Sequence, residues 1–459
     1  MRVLLANPYV LREDGHEMRF MHLYPPLGTL YVASSLIDAG HEVRVLDATF
    51  EPSAEALEPL LASWRPAVVG VYTTFLSKAN ALAMGDAARS RGMLAIAGGP
   101  DANVEPEAYL AHFDAVVMGE GERTMREVVA AVAEGREWRG VAGLAVLREG
   151  VVVRTAARPR IQDLDAMPLP ARHLVDMARY ERAWRSRHGY FSTSITASRG
   201  CPYACNFCSR PIFGSLYRAR SVAGVVAELL AIEGAFHPDR VWFTDDILAI
   251  DRDWIVALCD AIRGAGLDME YHALCRADLM DDEVLAAMRA AGFRQVYYGV
   301  ESGSQCVLDA MNKRTTVEGL RRASKATRRA GIDQHWFIML GYPGETRRDV
   351  EATIALLLEM APDSFSTTVA YPIKGTRLYD QVERDLTASA WRQSVDVRLM
   401  FKNRYPRLFY RWTILRMRTS MMLRRRVAGP GSVVMRLYDR ACRAVSVLLA
   451  GERGELGGP

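Results

Sequence analysis

Three cysteines near the middle of the chain have a spacing that suits metal chemistry. Cys201, Cys205 and Cys208 form a CxxxCxxC run inside residues 196–211. Iron–sulfur clusters are held by cysteine thiolates, most often four of them. A fourth cysteine is missing nearby, because the next ones along the chain are Cys259, Cys275 and Cys306. The run therefore predicts a 4Fe–4S cluster in which one iron has no protein ligand.

Structural zinc is the alternative for this trio. Zinc would require a fourth Cys or His at its own short spacing, and residues 209–235 contain neither. An open iron, by contrast, can chelate a small molecule through an amine and a carboxylate. S-adenosylmethionine carries both groups. The spacing favours the cluster and leaves zinc as the second interpretation.

The cysteine run resembles the radical S-adenosylmethionine (radical SAM) motif, including Phe207 beside the last cysteine. In that family the reduced cluster splits the bound cofactor into methionine and a 5′-deoxyadenosyl radical. The order of the other segments resembles the cobalamin-binding branch of the family, over residues 1 to about 385. The resemblance implies three cofactors, namely a 4Fe–4S cluster, S-adenosylmethionine and cobalamin. It also implies an electron donor such as flavodoxin or ferredoxin.

Short apolar runs alternate with helical patterns in the amino-terminal third. Strands that alternate with helices of this length predict parallel pairing with right-handed crossovers. The result is a doubly wound, Rossmann-like α/β sheet, whose ligands bind beyond the carboxyl ends of the strands. The predicted strands are 3–6, 43–46, 68–72, 94–97 and 115–118. The predicted helices are 27–39, 54–64, 78–91 and 124–134.

Several residues at these strand ends could bind a ligand. Glycines there let a large ligand approach the backbone closely, although glycine and asparagine also end strands in any fold of this kind. The loops resemble the cobalamin-binding domain of the branch, together with Tyr24-Pro-Pro-Leu-Gly28 and Gly40-His-Glu-Val43. The residues assigned to cobalamin by this resemblance are Asn7, Gly28, Asp47, Thr73, Gly98, Gly99, Pro100, Gly119 and Glu120.

The segment 14–19 matches half of a second cobalamin motif. In proteins with Asp-x-His-x-x-Gly, the histidine ligates cobalt. Here Asp14 and His16 are present, but Arg19 stands where the glycine should be. A residue with a Cβ cannot serve where the backbone must approach a ligand closely. The radical SAM branch generally lacks this ligand, so the resemblance implies that His16 is a loop residue, and a cobalt contact is left open.

A connector separates this domain from a second series of βα units. Residues 140–155 predict a hairpin, and the proline-rich stretch 158–180 predicts a linker. The predicted domains are 1–140, 141–190, 191–385 and 386–459. The strands of the second series are 194–197, 241–244, 269–273, 295–300, 335–340 and 367–370. They predict a partial parallel barrel with its site at the carboxyl ends of the strands, and the number six comes from the resemblance.

The ends of the barrel strands carry the residues that the resemblance assigns to S-adenosylmethionine. Phe207 can stack on the adenine. The turn that contains Gly341 and Pro343 can accommodate the purine. Glu301 can accept hydrogen bonds from the ribose hydroxyls or the ammonium group.

The carboxylate and the amine of S-adenosylmethionine also need partners. Ser302 or Arg276 could hold the carboxylate, but Arg276 could equally form a salt bridge with Asp278 or Asp246. Asp245 opens an Asp-Asp pair where other radical SAM proteins have Gly-Gly-Glu. Such a pair is familiar in the cobalamin-binding branch, and we predict that Asp245 contacts the cofactor.

Bulk composition limits the class of protein. The length of 459 residues predicts several domains, and 50% hydrophobic with 24% charged residues is typical of a folded protein. The net charge of +4 is too small to imply nucleic acid. Seven cysteines, three of them in one motif, favour a reducing compartment. The sequence shows no signal peptide and no apolar stretch of about 18 residues, which predicts a cytoplasmic protein.

The carboxyl-terminal residues 386–450 are rich in arginine and aromatic side chains. They predict a helical extension that packs on the barrel and has a solvated basic side. The alternative is peripheral contact with an anionic surface at the inner membrane face, which would favour a lipid-like substrate such as an isoprenoid or hopanoid. Arginine and aromatic residues also occur together in RNA binders, but no recognition module accompanies them, so no nucleic-acid partner is expected.

The predicted function is that of a cobalamin-dependent radical SAM enzyme. It would methylate an unactivated carbon of a small-molecule or lipid-like biosynthetic intermediate. Radical cyclisation, oxidation or ring rearrangement with the same cofactors is the alternative within enzymes. A non-catalytic corrinoid-binding or membrane-associated scaffold is the alternative outside them, and the intact cysteine run argues against it. The residues that bind the substrate follow no motif.

Overall fold

The computed structural model of the protein describes residues 1–385, 403–426 and 433–451. These residues form two compact units. The first unit consists of residues 1–202, 210–246 and 264–270, and the second of residues 203–209, 247–263 and those from 271 onward. Parts of the expected carboxyl-terminal extension, at 386–402, 427–432 and 452–459, lie outside the described residues.

The described residues of the first unit contain a seven-stranded sheet with the strand order β2-β1-β3-β4-β5-β6-β7. Its strands are β1 (Arg2–Asn7), β2 (Glu42–Asp47), β3 (Val68–Tyr72), β4 (Leu94–Gly98), β5 (Ala115–Val117), β6 (Leu144–Arg148) and β7 (Val151–Arg154). Neighbours among the first five pair in parallel, and β6 and β7 are antiparallel. The strand order reverses at β1, as in a doubly wound sheet, so this prediction is confirmed.

Helices cover both faces of this sheet. The helices of this part of the chain are α1 (Glu17–Phe20), α2 (Leu27–Asp38), α3 (Leu57–Trp64), α4 (Lys78–Arg89), α5 (Pro100–Val104), α6 (Pro106–Leu110), α7 (Gly121–Ala133) and α8 (Met177–His188). Of these, α1 has no buried residue, and α8 packs in a separate core with Leu11 and Leu23. Successive residues of a strand point to opposite faces. Leu4 accordingly packs in a core with Trp64, whereas Val3 packs in a second core with Leu36 and Val128. Burial on both faces explains why β1 is almost entirely apolar.

The predicted hairpin is present, and it extends the sheet. Arg148 pairs with Val151 across a two-residue turn, in which Glu149 and Gly150 both have positive φ, of 51° and 80°. This is the backbone twist that tight hairpins require. Because β6 pairs with β5, the hairpin becomes the edge of the sheet, which the sequence pattern did not predict.

The first unit also contains the beginning of the second βα series. Its elements are β8 (Ser192–Ile195), β9 (Ser198–Arg199), β10 (Arg218–Ala219), α9 (Val222–Phe236) and β11 (Arg240–Phe243). Strand β11 pairs with β8 in parallel, and β10 pairs with β9 in antiparallel orientation. The short β9–β10 pair flanks the segment that contains the cysteine run.

Four parallel strands form the core of the second unit. They are β12 (Glu270–Cys275), β13 (Phe293–Glu301), β14 (Asp333–Leu340) and β15 (Ser364–Val369), and each pairs with the next. The accompanying helices are α10 (Arg252–Gly264), α11 (Asp282–Ala290), α12 (Gln305–Ala310), α13 (Val317–Arg329), α14 (Arg347–Met360) and α15 (Arg377–Val382). All six strands expected of the partial barrel are therefore present, and the predicted fold class is confirmed.

Two further helices, α16 (Arg407–Arg426) and α17 (Val433–Ala450), belong to the second unit. Arg416 on α16 is 1% exposed. Its guanidinium binds Glu351 on α14 at 2.5 Å and Asp439 on α17 at 2.6 Å. The described part of the extension thus packs on α14. Over the part of the chain that the structure describes, no helix combines the length and the apolar character needed to span a bilayer.

Candidate functional site

The three cysteines are divided between the two units. Cys201 belongs to the first unit, is 8% exposed, and its backbone N–H donates to the carbonyl of Gly214 at 3.2 Å. Cys205 and Cys208 belong to the second unit and share one turn, in which the N–H of Cys208 donates to the carbonyl of Cys205 at 3.2 Å. Cys205 is half-buried and Cys208 is exposed. Among the described residues, no three His, Cys, Asp or Glu side chains are grouped as ligands of one metal ion.

Within the second unit, the turn of Cys205 and Cys208 rests on the segment after α12. The backbone N–H of Asn206 donates to the Met311 carbonyl at 2.9 Å, and its side-chain amide donates to Ala310 at 2.8 Å. In return, the Asn312 amide donates to the carbonyl of Ala204 at 2.8 Å. These three bonds hold the backbone of the cysteine turn against residues 310–312.

Lys313, in the same segment, has a buried partner. Its ammonium lies 3.0 Å from the Glu301 carboxylate, and both side chains are at most 10% exposed. The ammonium is also 5.7 Å from the centre of the Phe207 ring. A Cβ at Gly299 would come within 2.5 Å of Glu301 and 2.7 Å of Lys313, so a side chain at this position would displace the pair. Glu301 itself has φ of 62°, a conformation that non-glycine residues adopt at a cost. Sequence reasoning missed Lys313, which belongs to no predicted motif.

Arg276 takes the structural alternative in this structure. It binds Asp278 with two nitrogens, at 3.0 and 3.1 Å, and donates to the Lys313 carbonyl at 2.8 Å. Its guanidinium also stacks 3.6 Å from the centre of the Tyr203 ring. Ser302 is fully buried, and its hydroxyl lies 3.1 Å from that of Thr353. Both residues therefore have protein partners close to the predicted cofactor residues Glu301 and Phe207.

Asp245 is 1% exposed and supports the backbone that leads to Cys201. Its carboxylate accepts from the backbone N–H of Ala197 at 3.1 Å and from the Ser198 hydroxyl at 2.5 Å. Burial raises the pKa of Asp245 to about 6 even though these hydrogen bonds favour the ionised form. Its neighbour Asp246 lines the cavity of the first unit.

The turn after β14 contains a second buried carboxyl group. Gly341 donates its N–H to the Glu345 carboxylate at 2.5 Å. Glu345 is 2% exposed, and burial raises its pKa to about 8. A Cβ at Gly341 would lie 3.1 Å from both Asn403 and Tyr410, so the carboxyl-terminal segment packs directly on this turn. Pro343 follows in the same turn and is half-buried.

A cavity of about 400 Å³ lies within the first unit at the carboxyl ends of β3, β4 and β5. It continues between the sheet and the helices α2 and α7, where Leu5, Val32 and Met125 line it. Six of the residues assigned to cobalamin line this cavity: Gly28, Gly98, Gly99, Pro100, Gly119 and Glu120. The cavity is glycine-rich at its mouth and apolar inside, which suits a large ligand with an apolar part.

The other three residues assigned to cobalamin do not line the cavity. Asn7 donates to Asp47 at 3.0 Å, and Tyr180 on α8 donates to the same carboxylate at 2.5 Å. Thr73 is fully buried beneath the loop after β4, where its hydroxyl accepts from the backbone N–H of Ala102 at 3.1 Å. Gly99 has φ of 125° and passes so close to Thr73 that any Cβ would clash with the Thr73 carbonyl. Thr73 thus shapes the glycine loop from below.

Glu120 and Glu122 belong to a buried group of four charges. Arg199 donates to Glu120 at 2.9 Å and to Glu122 at 2.6 Å, and Arg218 donates to Glu120 at 2.9 Å. The N–H of Ile161 adds a bond to Glu120 at 2.8 Å. Sequence reasoning assigned Glu120 to the ligand, but its oxygens already accept from these protein donors. The two arginines were missed because they are distant in sequence from the glutamates.

His16 is exposed and lies away from the cavity. Its ring contacts Phe20, with the ring centres 4.7 Å apart, and it is not among the residues that line the cavity. Asp14 caps this segment, because its carboxylate accepts from the backbone N–H groups of His16 and Glu17, each at 3.0 Å. The observed position is that of a loop residue, as the resemblance implied.

Comparison with known proteins gives two family matches. The model of the Radical SAM superfamily matches residues 195–357, and the model of the B12 binding domain matches residues 19–129. The first range contains Cys201, Cys205 and Cys208, and the second contains the glycine loop after β4.

Three curated relatives match most of the chain. An uncharacterized methyltransferase of Pyrococcus horikoshii is 31% identical over 363 residues, which is 78% of this chain and 78% of the relative. A cytidylyl-2-hydroxyethylphosphonate methyltransferase of Streptomyces wedmorensis is 28% identical, over 82% and 80% of the two chains. An anaerobic magnesium-protoporphyrin IX monomethyl ester cyclase of Synechocystis is 26% identical, over 83% and 77%.

Two solved structures share the fold. The radical S-adenosylmethionine methyltransferase TsrM of Kitasatospora setae, with cobalamin and a [4Fe-4S] cluster bound, has a TM-score of 0.71 at 22% identity, over 84% of this chain and 76% of that one. The cobalamin-dependent S-adenosylmethionine radical enzyme OxsB, with aqua-cobalamin bound, has a TM-score of 0.77 at 16% identity, over 98% and 72%.

Proposed function

Because the chain belongs to the cobalamin-binding branch of the radical SAM superfamily, we propose that it is a cobalamin-dependent enzyme that methylates an unactivated carbon. The observation that carries this proposal is the joint presence of two features. One is the CxxxCxxC run within the matched radical SAM region, and the other is the glycine-lined cavity within the matched B12 region. The substrate is a small molecule.

The donor set fits the proposed iron–sulfur cluster. Cys201, Cys205 and Cys208 offer three sulfur ligands, which are the usual donors of such clusters. When bound, the reduced cluster supplies the electron that splits S-adenosylmethionine, and the corrinoid supplies the methyl group. The protein's own contribution is to hold its ligands and exclude water from the reacting groups. In the second unit, Asn206 and Asn312 hold the cysteine turn for this purpose.

We assign the binding of S-adenosylmethionine to the group around Glu301. Phe207 offers a ring face for the adenine, and the Gly341–Pro343 turn offers backbone groups next to it. The Glu301 carboxylate accepts hydrogen bonds and is oriented by Lys313. Arg276 holds the segment of Lys313 in the second unit, and Asp245 holds the backbone before Cys201 in the first unit, each through the bonds described above. The buried hydroxyl of Ser302 lies 3.1 Å from that of Thr353, which supports a structural role for this residue.

We assign cobalamin to the cavity of the first unit. Gly28, Gly98, Gly99, Pro100 and Gly119 line it and present backbone to a ligand. Its apolar interior lies against the sheet, where a flat or ring-bearing part of the ligand would be shielded from water. Glu120 lines the same cavity but is fixed by its arginines, so it contributes to the shape of the wall.

The test is anaerobic reconstitution with iron and sulfide followed by addition of cobalamin, S-adenosylmethionine and a reductant. The proposal expects about four irons per chain, a corrin absorption spectrum and formation of 5′-deoxyadenosine. Cys208→Ala should abolish both iron–sulfur absorbance and 5′-deoxyadenosine. The matched control is Cys306→Ala, which removes an exposed cysteine outside the motif and should leave both unchanged. Stoichiometric zinc in the cysteine run would refute the proposal.

Cyclisation is the second candidate within enzymes, because one relative is a cyclase. Label from methyl-labelled S-adenosylmethionine distinguishes the two: methylation transfers it to the product, and cyclisation does not. A protein that binds corrin but never forms 5′-deoxyadenosine would instead be a corrinoid-binding scaffold. The proposed electron donor is a flavodoxin or ferredoxin, and replacing the chemical reductant by either protein tests that assignment.

We also propose that α16 and α17 contact an anionic membrane surface. Seven of the sixteen exposed large hydrophobic side chains among the described residues lie on these two helices. They are Leu408, Leu415, Met422, Val433, Leu437, Val445 and Leu448. Leu408, Leu415 and Met422 recur every seven residues and therefore form one stripe along α16.

Arginines accompany this stripe. Arg411 and Arg418 are exposed on α16, and Arg436 and Arg440 are exposed on α17. Helix α16 contains no acidic residue, and the single acid of α17, Asp439, is bound by Arg416 and Arg443. A cationic face with apolar side chains is complementary to anionic lipid.

Cosedimentation with vesicles tests this contact. The full chain should bind vesicles of phosphatidylglycerol and phosphatidylcholine but not vesicles of phosphatidylcholine alone, and salt should weaken the binding. Leu415→Glu should reduce binding, whereas Leu147→Glu, at an exposed position of β6, should not. If both variants bound vesicles equally, the membrane contact would be refuted, and α16 and α17 would serve only as an extension that packs on α14.

A further inference from the structure

The strands of the second unit have two unlike faces. Along β13 and β14, buried residues alternate with half-buried ones. Tyr298 and Trp336 are each 1% exposed and belong to the buried set. Tyr297, His335 and Phe337 belong to the half-buried set. Because side chains alternate along a strand, these three residues share the opposite face of the sheet.

Four rings follow one another across this face, which we call the ring face. It comprises His272, Tyr297, His335 and Phe337 on β12–β14. The Tyr297 ring centre lies 5.0 Å from that of His335 and 5.9 Å from that of Phe337. His335 and Phe337 are 5.0 Å apart, and His272 lies 6.4 Å from Tyr297. Such separations are those of interacting aromatic pairs.

Neutral hydrogen-bonding groups border the rings. The two nitrogens of His335 lie 2.8 Å from the Ser364 hydroxyl and 3.1 Å from the Ser366 hydroxyl. The Tyr297 hydroxyl donates to the side-chain carbonyl of Gln295 at 2.8 Å. Ser366 and Thr368 on β15 are exposed, so hydroxyl groups are accessible beside the rings.

At the described positions around the rings, from Gln295 to Tyr297 and from His335 to Phe337, this face carries no Asp, Glu, Lys or Arg, and the Glu301–Lys313 ion pair lies over Gly299 toward the carboxyl end. Asp333 stands at the beginning of β14 and Glu301 at the end of β13. The interior positions of β13 and β14 on this face are Gln295, Tyr297, Gly299, His335 and Phe337, together with Met339. Because Glu301 and Lys313 are paired with each other, an ionic ligand beside the rings would find no available opposite charge, whereas a neutral ligand would lose little on leaving water.

The ring face continues into the residues assigned to S-adenosylmethionine. The register of β13 against β14 shifts between Gly299 and Glu301, and the Glu301 carboxylate lies over Gly299, where an added Cβ would be 2.5 Å from it. Tyr297 is two residues before Gly299 and lies on the same face. On the neighbouring strand, Met339 packs in one core with Phe207. A ligand on the ring face would therefore lie on the same side of the sheet as the proposed cofactor, toward the beginning of the strands.

From these observations we infer that the ring face binds the substrate, and that the substrate presents a planar, uncharged ring. Aromatic side chains bind a flat ring through offset or edge contacts, and the hydroxyls of Ser366 and Thr368 orient its polar edge. An acyclic acyl chain would offer no ring to the four aromatic side chains. The inference rests on the proposed function for the reaction, but it names a binding surface that can be measured separately.

Three probes test the inference on the reconstituted full chain. They are 2-naphthol, which is planar and neutral, 1-decanol, which has as many carbons but no ring, and 2-naphthoate, which is planar and anionic. Equilibrium dialysis should show that 2-naphthol binds, and that the other two compete weakly. Phe337→Leu should weaken 2-naphthol binding roughly two- to tenfold, the range expected for one aromatic pair. Phe365→Leu, on the opposite face of β15, is the matched control and should not.

A second readout separates this inference from the proposed function. In the presence of S-adenosylmethionine and reductant, 2-naphthol should raise the formation of 5′-deoxyadenosine, and Phe337→Leu should lower that stimulation. Absence of 5′-deoxyadenosine under every condition would refute the proposed reaction. Equilibrium dialysis would still show whether 2-naphthol binds to the ring face. Preference for 1-decanol, or equal loss of binding in Phe337→Leu and Phe365→Leu, would overturn the ring face as the substrate site.

Discussion

The guanidinium of Arg199 donates to the carboxylate of Glu122 across 2.6 Å, and both side chains are at most 6% exposed. Arg199 stands two residues before Cys201, and Glu122 lies in the first turn of α7. The pair therefore joins the strand before the cysteine run to the helix that borders the cavity of the first unit. This ion pair couples two stretches of chain that the proposed reaction needs in fixed positions.

Breaking the Arg199–Glu122 pair should destabilise the protein strongly. Arg199→Met leaves Glu120 and Glu122 without one of their donors in a buried setting, and an uncompensated buried charge costs about 3–5 kcal/mol. Urea unfolding of the reconstituted chain measures the change. Arg126→Met is the control, because its pair with Asp38 is 45% and 53% exposed and should contribute less than about 1 kcal/mol. If the two variants lost the same free energy of unfolding, the buried ion pair would contribute no more to stability than the exposed one.

Gly99→Ala should remove corrin binding and lower stability. The positive φ of Gly99 disfavours any side chain, and the added methyl group would clash with the Thr73 carbonyl. The glycine loop would have to move away from the cavity that it lines. Corrin absorbance after desalting is the measurement. Gly92→Ala is the control, because Gly92 also has a positive φ but an added Cβ would meet open space. The variant should lose only about 1 kcal/mol of unfolding free energy and should still bind the corrin.

Stability should depend on pH through Glu345. Its pKa rises from 4.5 to about 8 on burial, so between these values the folded protein holds a proton that the unfolded chain releases. The stabilisation is complete below about pH 4.5 and is lost as the pH rises to about 8, with a slope of about 1.4 kcal/mol per pH unit from this group.

Glu345→Gln should remove that contribution, since the amide does not titrate and its oxygen can still accept from Gly341. Urea midpoints from pH 5 to pH 8 provide the measurement. Glu318→Gln serves as the control, because the Glu318 side chain is 68% exposed. An unchanged slope in Glu345→Gln would assign the pH dependence to other groups.

Lys313→Met should weaken the binding of S-adenosylmethionine and destabilise the fold by about 3 kcal/mol. The substitution leaves the Glu301 carboxylate buried without its partner and removes the cation near the Phe207 ring. Equilibrium dialysis with labelled S-adenosylmethionine and urea unfolding measure the two effects. Lys325→Met, at an exposed position of α13, should change neither. Loss of stability with unchanged affinity would show that the pair supports the fold alone.

The fold was predictable because its signals are local. Each strand of β1 to β5 is a short apolar run followed by a helix of suitable length, and each appears within a few residues of its predicted bounds. The family was predictable for a similar reason, since Cys201, Cys205 and Cys208 fall within eight consecutive residues. Contiguous patterns survive without knowledge of the tertiary structure.

The supporting residues were not predictable in this way. Lys313 reaches Glu301 across the 12 residues that include α12, and Arg199 reaches Glu122 across 77 residues of chain. The chain has 58 Lys and Arg residues, and no sequence pattern distinguishes Lys313 or Arg199 from the other 56. Conversely, Asn7, Asp47 and Thr73 occupy predicted ligand positions yet bind their own neighbours. The sequence predicts that a residue stands at a strand end. Tertiary packing determines whether its side chain contacts a ligand or neighbouring residues of the protein.

The packing of α16 on α14 has a practical consequence for anyone who shortens this chain. Truncation after the sixth barrel strand would delete Arg416 and leave Glu351 on α14 without its ion-pair partner. It would also expose to solvent the apolar surface of α14 that α16 now covers. It would also uncover Gly341 and Glu345, which Tyr410 contacts from the deleted segment. A minimal barrel prepared by truncation is therefore a poor stand-in for the whole molecule, and low activity in such a fragment would say little about the chemistry.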